Sequence, residues 1–320
     1  MSKSVSVIIP SFNGKELLEE NLPFVIQSLV GVPRSEIIIV DDASSDGSID
    51  FLKSNYPEIR VIKNIKNIGF GPSINAGLKE ANHDLVLLLN NDIKLDKKYI
   101  STSLKYFADP ETFGVMGIIK DELSEVILEG IKWPRISVSG LKYKDLSMLE
   151  IENWDEPVFT FYICGGNAIV DRVKMLELQG FLDIYHPFYL EDVDLSLRAW
   201  LSGWKLYFNP EAHCYHKHSA TISKYNPENY INIISKRNRL ALSYLYLNGF
   251  NKFLFITTTY IKSLYYRLLY TFKLSNLYPG YREFSSMKAK LSAYQIPINK
   301  KEKLKKIIAE IQRNIREKLK

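Results

Sequence analysis

The chain contains only two cysteines, Cys164 and Cys214, and this scarcity excludes several classes of protein. Two thiols cannot form the disulfide framework of a small secreted domain, and they lack the spacing of a structural zinc site. The chain also lacks an uninterrupted run of about 18 apolar residues, which a membrane-spanning helix requires. Its nearest candidate, residues 253–270, is interrupted by Lys262 and Arg267. A reducing compartment is the simplest interpretation.

A secretory leader is also missing from the given sequence, because strand-like residues begin at Val5. We therefore expect a cytoplasmic protein. The net charge is +6, and many basic residues lie after Lys236, which indicates contact with an anionic surface. Lipid and nucleic acid both fit this charge, but no nucleic-acid-binding motif accompanies it, so no nucleic-acid partner is expected. Peripheral contact with the inner face of the cell membrane is the preferred prediction.

Strand-like and helix-like segments alternate through the first hundred residues. Of 320 residues, 46% are hydrophobic and 24% are charged, which is ordinary globular composition. Short apolar runs without a polar alternation are typical of strands that are buried on both faces. The pattern predicts an α/β fold with a doubly wound, mostly parallel sheet. The predicted strands are residues 4–10, 36–40, 59–62 and 85–89, and the predicted helices are residues 15–30, 48–54 and 72–81.

Polar clusters follow two of these strands. Asp41 and Asp42 follow the second strand, and Asn90, Asn91 and Asp92 follow the fourth. Open α/β sheets place their ligands at the carboxyl ends of their strands. The clusters suit hydrogen bonds to a nucleoside at one strand end and a hard metal cation at the other. Independent turns or helix caps are the alternative interpretation.

Acidic residues also occur together at the start of a later predicted helix. Asp194 and Arg198 have the spacing of a helical ion pair, and we predict that pair. Glu191 next to Asp192 should raise the proton affinity of its neighbour, which suits a general base.

A predicted final strand, residues 204–208, is followed by a loop with three histidines. These are His213, His216 and His218, which are either incidental or ligands of a metal.

Several motifs of the chain together resemble family 2 glycosyltransferases. The motifs are residues 6–13 (SVIIPSFN), 40–46 (VDDASSD), 67–70 (NIGF) and 90–92 (NND). The resemblance covers roughly the first 240 residues. It implies a GT-A fold, a nucleotide-sugar donor and a divalent cation, Mn²⁺ or Mg²⁺. It also implies that the aspartate pair after the second strand contacts the nucleobase and ribose, and that the motif after the fourth strand binds the metal and the donor diphosphate.

The resemblance assigns a role to individual residues. Asp192 is the predicted catalytic base, and Asp92 and His216 are the predicted metal ligands, with His218 as the fallback and His213 as a structural residue. The first acid of the metal motif is replaced by Asn90, a variant that resembles the rhamnosyltransferase-like branch, so a ligand besides Asp92 is needed. The predicted nucleotide-sugar-binding residues are Pro10, Phe12, Asp41, Asp42, Asn67, Gly69, Phe70, Asn75, Asn90, Asn91, Gly165, Gly166 and Glu191.

The resemblance predicts an inverting glycosyltransferase that uses dTDP-rhamnose or a UDP-hexose. Its expected acceptor is a hydroxyl of a cell-surface polysaccharide or lipid-linked glycan. A non-catalytic nucleotide-sugar-binding scaffold is the alternative. We divide the chain into a glycosyltransferase domain, residues 1–225, and a helical basic-aromatic region, residues 226–320. That second region either contacts the membrane or packs on the first, and a coiled-coil or dimer contact from Lys300 onward stays open.

Overall fold

The computed structural model describes residues 3–124, 126–146, 157–216, 226–296 and 303–319. Strands and helices alternate at first: β1 (Val5–Ser11), α1 (Lys15–Ser28), β2 (Ser35–Asp41), α2 (Ser48–Asn55), β3 (Arg60–Lys63), α3 (Phe70–Glu80), β4 (Leu85–Leu89), β5 (Ile93–Leu95) and α4 (Tyr99–Ser103). The middle holds β6 (Thr112–Asp121), β7 (Ile127–Glu129), β8 (Lys132–Ser137), β9 (Gly140–Asp145), β10 (Val158–Phe159), β11 (Asn167–Asp171), α5 (Arg172–Glu177), α6 (Glu191–Leu201) and β12 (Lys205–His216). Helices α7 (Glu228–Tyr246), α8 (Gly249–Thr271), α9 (Tyr278–Ala293) and α10 (Leu304–Arg316) follow.

One large sheet runs through the described part of the chain, in the order β10-β12-β6-β11-β4-β1-β2-β3. Strands β3, β2, β1 and β4 are parallel, and β12 is parallel to β6. Strand β11 lies antiparallel between β4 and β6. The short strand β5 pairs with β12, β7 pairs with β6, and β8 and β9 form a separate hairpin. The predicted doubly wound, mostly parallel sheet is confirmed.

Strand β4 lies at the centre of this sheet. All five of its residues are fully buried, and β1 and β11 flank it on its two sides. This explains why its sequence is an apolar run without alternation. Ser11 at the end of β1 lies opposite Asp41 at the end of β2, and β4 ends in the same direction. The polar residues that follow these strands therefore lie along one edge of the sheet.

Strand β12 is longer than the sequence indicates. The predicted strand ends at residue 208, but the observed strand continues to His216. The added residues pair in parallel with the second half of β6, and Cys214 lies opposite Leu95 of β5. A shift in register between Phe208 and His213 allows the strand to bend into this second set of partners. His213 and His216 are therefore on a strand, whereas His218 lies outside the described residues.

The helices after residue 226 divide into packed and exposed surfaces. Helix α10 buries the apolar side chains of Ile307, Ile311 and Ile315 against β8, β10 and α6. Asn314 also accepts a hydrogen bond from the backbone N–H of Phe159, at 2.8 Å. The apolar face of α10 is therefore buried within the same chain, whereas Lys300 lies outside the described residues, and a coiled-coil or dimer contact stays a prediction. One apolar core includes residues from both predicted units.

Helix α8 differs, since large apolar side chains such as Phe250, Ile261 and Leu268 are exposed on it. Across the described ranges, no helix has the length and apolar character needed to cross a bilayer.

Replacing Ile311 with Ala should destabilise the whole chain. The side chain is fully buried, so its truncation leaves a cavity and should lower the free energy of unfolding by about 3 kcal/mol. Urea denaturation measures this change. The matched control is Ile261→Ala on α8, where the side chain is 60% exposed and the expected change is under about 0.5 kcal/mol. Equal stability of the two variants would contradict the packing of α10.

Candidate active site

The loops that follow β1 and β2 are joined by hydrogen bonds. The backbone N–H of Asn13 donates to the hydroxyl of Ser44 at 2.9 Å, and the side chain of Asn13 accepts from the N–H of Ser45 at 2.9 Å. Asn13 adopts a left-handed conformation with φ of 47°, which asparagine tolerates better than most residues. Pro10 and Phe12 are half-buried at the start of this joined surface.

Asp41 and Asp42 are both buried but differ in their hydrogen bonds. Asp42 accepts from the side chain of Asn64 and from the backbone N–H groups of Ile68 and Gly69, at 2.8–2.9 Å. Asp41 accepts through Oδ2 from the N–H of Ser44 at 3.1 Å, while its buried Oδ1 has no partner among the described residues. Asp42 therefore holds the loop before α3, and Asp41 retains an acceptor for a ligand.

The NIGF motif forms the entry to α3. Gly69 has φ of 85°, a conformation that other residues rarely adopt, and it allows the chain to turn into the helix at Phe70. Asn67 is exposed and Phe70 is half-buried, so both can contact a ligand. Asn75 lies one turn further on, and its side-chain amide donates to the carbonyl of Phe181 and accepts from the N–H of Phe181. Asn75 therefore fastens α3 to a distant loop.

The three residues after β4 are held in different ways. Asn91 is nearly buried, and its side chain donates to the hydroxyl of Ser11 at 3.0 Å. The backbone carbonyl of Asn91 accepts from the side chain of Asn21 on α1. Asn90 stays partly exposed, and its N–H donates to the carbonyl of Gly166 at 3.0 Å. Asn91 is thus an anchor of the turn, while Asn90 faces the cleft.

Asp92 and His216 lie together, as predicted for a metal site. The Asp92 Oδ2 is 3.3 Å from the His216 Nε2, and the buried Oδ1 has no hydrogen-bond partner among the described residues. Burial disfavours a charged imidazole, but the hydrogen bond and charge of Asp92 outweigh it, together with the charges of Asp121 and Glu129. They raise the pKa of His216, so this position favours a proton or a metal cation.

These two side chains fit a divalent cation that takes further ligands from a phosphate group. One carboxylate oxygen and one imidazole nitrogen are common ligands of Mn²⁺, and Mg²⁺ sites often use one or two carboxylates plus phosphate oxygens and water. The orphaned Oδ1 of Asp92 supplies the free lone pairs. Among the described residues, no group of three or more histidine, cysteine or acidic side chains forms a complete protein cage. A bound diphosphate would complete the coordination.

The two glycines connect this motif to the predicted base. Gly166 accepts from the N–H of Asn90, and the N–H of Gly165 lies 3.4 Å from the Oδ2 of Asp192. A Cβ atom at position 166 would lie 2.9 Å from the side-chain amide nitrogen of Asn90, so a larger residue would require that side chain to move. Residues that are a hundred positions apart in sequence therefore line one cleft.

Glu191 and Asp192 begin α6, and both carboxyl groups have raised pKa values. Burial raises the pKa of Asp192 to about 6, although hydrogen bonds from the N–H groups of Val193 and Gly165 oppose the rise. Burial and the charge of Asp192 raise the pKa of Glu191 to about 8. Because the two carboxyl groups are adjacent and both pKa values are raised, the pair favours sharing one proton near neutral pH.

The turn before α6 has an unusual backbone. Tyr189 and Leu190 both have positive φ angles, 72° and 76°, a conformation that is unfavourable for side chains of this size. The side-chain amide of Asn238, on α7, donates to the carbonyls of Tyr185, Phe188 and Tyr189 at 2.8–2.9 Å. Helix α7 thereby fixes the turn that places Asp192.

The predicted ion pair between Asp194 and Arg198 is confirmed. The Arg198 Nε donates to the Asp194 Oδ2 at 2.7 Å, and both side chains are fully buried. The remaining guanidinium nitrogens of Arg198 donate to the carbonyls of Leu178 and Gly180. The other oxygen of Asp194 accepts from the hydroxyls of Tyr185 and Tyr246. The pair therefore joins α6, the preceding loop and α7.

Sequence reasoning missed two residues of this cleft, Asn238 and Glu129. The charge of Glu129 acts on both His216 and Asp192, which places it near the metal site and the base. The buried ammonium of Lys132 bonds to Glu129 and to Asp145. Glu129 lies in a segment whose sequence gives only weak strand signals. The one sequence feature that could have indicated its role is the i,i+3 spacing to Lys132, which suits an ion pair.

The fold of this chain is similar to that of solved glycosyltransferases with the GT-A fold. GalNAc-T7, solved with UDP, GalNAc and Mn²⁺, superposes with a TM-score of 0.63 and 16% identity, over 92% of this chain and 58% of that one. The mannosyltransferase PcManGT of Pyrobaculum calidifontis, solved in complex with GDP-Man and Mn²⁺, superposes with a TM-score of 0.56 and 18% identity. The match covers 92% of this chain and 86% of that one. At such identities the likeness establishes the fold.

The chain belongs to glycosyl transferase family 2, whose family model matches residues 6–170. It is 37% identical to a dolichol-phosphate mannosyltransferase of Pyrococcus furiosus over 188 residues, which is 58% of this chain and 45% of that protein. It is 26% identical to a poly-β-1,6-N-acetyl-D-glucosamine synthase of Staphylococcus aureus over 220 residues, 67% and 50% of the two chains. The chain thus spans about half the length of these curated relatives.

Replacing Asp194 with Asn should destabilise the fold more than any change at the rim of the cleft. It leaves the buried guanidinium of Arg198 without a counter-charge, and a broken buried pair costs about 3–5 kcal/mol. Chemical denaturation gives the value. Asp50→Asn on α2, an exposed residue, is the matched control and should change the stability by less than about 0.5 kcal/mol. A variant at Asp194 as stable as that control would show that the pair is dispensable.

Proposed function

We propose that this chain is an inverting, metal-dependent glycosyltransferase that moves a sugar from a nucleoside-diphosphate donor to an acceptor hydroxyl. The observation that carries the proposal is the cleft in which the Asp92–His216 pair and Asp192 are linked through Gly166 and Gly165. A donor diphosphate at the Asp92–His216 pair and an acceptor hydroxyl at Asp192 would place the anomeric carbon between them. Membership of family 2 supports the same activity.

The nucleoside is expected to lie across the ends of β1 and β2. The orphaned Oδ1 of Asp41 can accept a hydrogen bond from a ring N–H of the base. Asp42 contributes through the loop that it holds, in which Gly69 and Phe70 line the entry to α3. Asn90, Gly165 and Gly166 would approach the diphosphate and the sugar.

Asp92 and His216 would hold a divalent cation against that diphosphate. When bound, such a cation neutralises the negative charge that develops on the leaving group. The raised pKa of His216, which the nearby carboxylates cause, supports the assignment of a cation to this position.

Asp192 would act as the general base. Its carboxylate takes the proton from the acceptor hydroxyl while that oxygen forms a bond to the anomeric carbon. The bond from that carbon to the diphosphate oxygen breaks on the opposite face, so the configuration inverts and the nucleoside diphosphate leaves with the electron pair. A base with a pKa of about 6 is ionised at neutral pH and is a stronger proton acceptor than an ordinary carboxylate. The pKa of the neighbouring Glu191 is raised to about 8, so in its protonated form this residue can donate a hydrogen bond to the substrate.

The donor and the acceptor are proposed only as classes of molecule. The replacement of an acid by Asn90 favours dTDP-rhamnose, followed by a UDP-hexose, and the rhamnosyltransferase-like branch stays a prediction. The acceptor is proposed to be a growing cell-surface polysaccharide or a lipid-linked glycan, because relatives include a dolichol-phosphate mannosyltransferase and a poly-N-acetylglucosamine synthase. A cytoplasmic site of action at the inner face of the membrane stays part of this proposal, and self-association stays a prediction.

Replacing Asp192 with Asn should abolish sugar transfer while donor binding persists. The amide cannot accept the acceptor proton, so kcat should fall by about 10²-fold or more. Asp183→Asn, an exposed acid in the loop before α6, is the control and should retain its rate. Turnover that survives in the Asp192 variant would favour a different base, whereas a wild-type chain that binds donor without any turnover would favour the scaffold alternative.

The same base predicts the pH dependence of transfer. Protonation of Asp192 removes the base, so kcat/KM should decline as the pH falls through about 6. Glu129→Gln removes a negative charge that raises the pKa of Asp192, so the acidic limb should move to lower pH. Glu58→Gln on the surface is the control. An unshifted limb in the Glu129 variant would place its charge outside the cleft.

Calorimetric titration with dTDP, UDP and GDP, with and without Mn²⁺, tests the donor site. One nucleoside diphosphate should bind tightly and only with the metal. His216→Ala should weaken that metal-dependent binding by about tenfold, since one ligand is lost. His213→Ala on the same strand is the matched control, because His213 bonds to the carbonyl of Pro210. Failure of all three nucleotides to bind would contradict the proposed function.

A further inference from the structure

A second cleft, of about 680 Å³, lies outside the donor site, between β9, α7 and α8. Its lining carries four cationic side chains: Lys142, Lys236, Arg239 and Lys262. Glu228 is the one acidic residue among the lining residues. Within the described ranges, no carboxylate forms an ion pair with any of the four cations. Among the described residues, the cleft therefore holds an excess of positive charge that no carboxylate neutralises by an ion pair.

The four cations repel one another. Burial lowers the pKa of Lys236 to about 8, and the nearby charges of Lys142, Lys262 and Arg239 contribute to the shift. Burial and the same cluster also lower the pKa of Lys142. Gathering like charges costs free energy unless an anion joins them. Three of the residues are primary amines and one is a guanidinium, which together suit the oxygens of a phosphate or diphosphate.

This cationic cleft lies next to the base side of the active site. Tyr143 follows Lys142 on β9, and its hydroxyl is affected by the charges of both Asp192 and Arg239. Burial and the charge of Asp192 raise the pKa of Tyr143 to about 12, while Arg239 opposes the rise. Strand β9 is fixed to α7 by a hydrogen bond from the N–H of Leu141 to the hydroxyl of Ser243. An anion in the cleft is therefore close to where an acceptor must approach.

An apolar surface adjoins the cleft along α8. Thr258 and Lys262 face the cleft, whereas a neighbouring face of the helix exposes large apolar side chains. Their exposed fractions range from 49% to 72%, and they are Phe250, Phe253, Ile261, Leu264, Tyr265 and Leu268. These residues recur at helical spacing, so they form one stripe. An apolar stripe beside a cationic cleft is complementary to a molecule with a phosphate head and a hydrocarbon chain.

We propose that the cationic cleft binds the phosphate or diphosphate of a lipid-linked acceptor, whose hydrocarbon chain lies along the exposed stripe of α8. The proposal rests on the proposed function, since it names the acceptor class of that reaction. The phosphate in the cleft fixes one end of the acceptor, and the neighbouring sugar hydroxyl then reaches Asp192. The cleft thereby selects acceptors by charge, independently of the donor.

Binding of farnesyl diphosphate to the full chain tests this assignment, with farnesol and inorganic pyrophosphate as partial probes. Farnesyl diphosphate should bind more tightly than either part. The double variant Arg239→Glu with Lys262→Glu should weaken the binding of farnesyl diphosphate by about tenfold or more. Charge-assisted hydrogen bonds are lost, and the new carboxylates repel the diphosphate. The double variant Leu264→Ser with Leu268→Ser should weaken the binding of farnesyl diphosphate but leave the binding of pyrophosphate unchanged. Lys290→Glu with Lys305→Glu, two exposed residues on α9 and α10, makes the same change in net charge and should bind as the wild type does.

Nucleotide binding in the same samples separates this proposal from the proposed function. Metal-dependent binding of the donor nucleotide should be unchanged in the cleft variants. If no nucleotide binds while farnesyl diphosphate binding still depends on the cleft, the proposed function fails and the cleft assignment stands.

Three results would overturn the cleft assignment. The first is equal binding of farnesyl diphosphate to the cleft and control variants. The second is loss of that binding in Asp92→Ala instead, which would assign the anion to the donor site. The third is cleft-dependent binding to phosphatidylglycerol vesicles without any binding of farnesyl diphosphate, which would make the cleft a contact for bilayer headgroups.

Discussion

The buried ion pair of Asp194 and Arg198 is the interaction on which the arrangement of the cleft depends. Two opposite charges can be removed from water only when almost every donor and acceptor is satisfied, and here the partners come from distant parts of the chain. Arg198 donates to the carbonyls of Leu178 and Gly180, which precede α6 in the chain, and Asp194 accepts from the hydroxyl of Tyr246 on α7. Asp192 lies two residues from Asp194 on the same helix, so its position follows from this network.

The cleft combines two kinds of structural support. Its proposed donor side stands on parallel strands whose ends are set by the sheet, with Asp41 at the end of β2 and Asp92 after β4. Its base side stands on a turn with strained backbone angles that side chains from α7 hold in place. The sheet side is rigid because its neighbours are hydrogen-bonded strands. The base side depends on packing between helices, so the proposed acceptor site and the proposed donor site have separate scaffolds.

The sequence alone was sufficient where local patterns control the structure. Five apolar residues in a row marked β4, and spacing of four residues marked the ion pair of Asp194. It failed where distant partners decide. Residues 209–216 include a proline and several polar residues, yet pairing with β5 and β6 makes them a strand and brings His216 to Asp92. The bond from the amide of Asn75 to Phe181 was also not foreseen, and the role of Asn75 in nucleotide-sugar binding stays a prediction. Nothing local distinguishes Asn238 from other polar residues of a surface helix.

The hydrogen bonds of Asn238 have a consequence for how the proposed sites are distributed along the chain. The family match ends at residue 170, whereas α7 carries both the amide that fixes the turn before Asp192 and part of the cationic cleft. Under the proposed function, the position of the base and the acceptor cleft therefore both depend on one helix. A recombination that exchanged the region after residue 226 between relatives would then alter both together and leave the proposed donor site on the sheet unchanged.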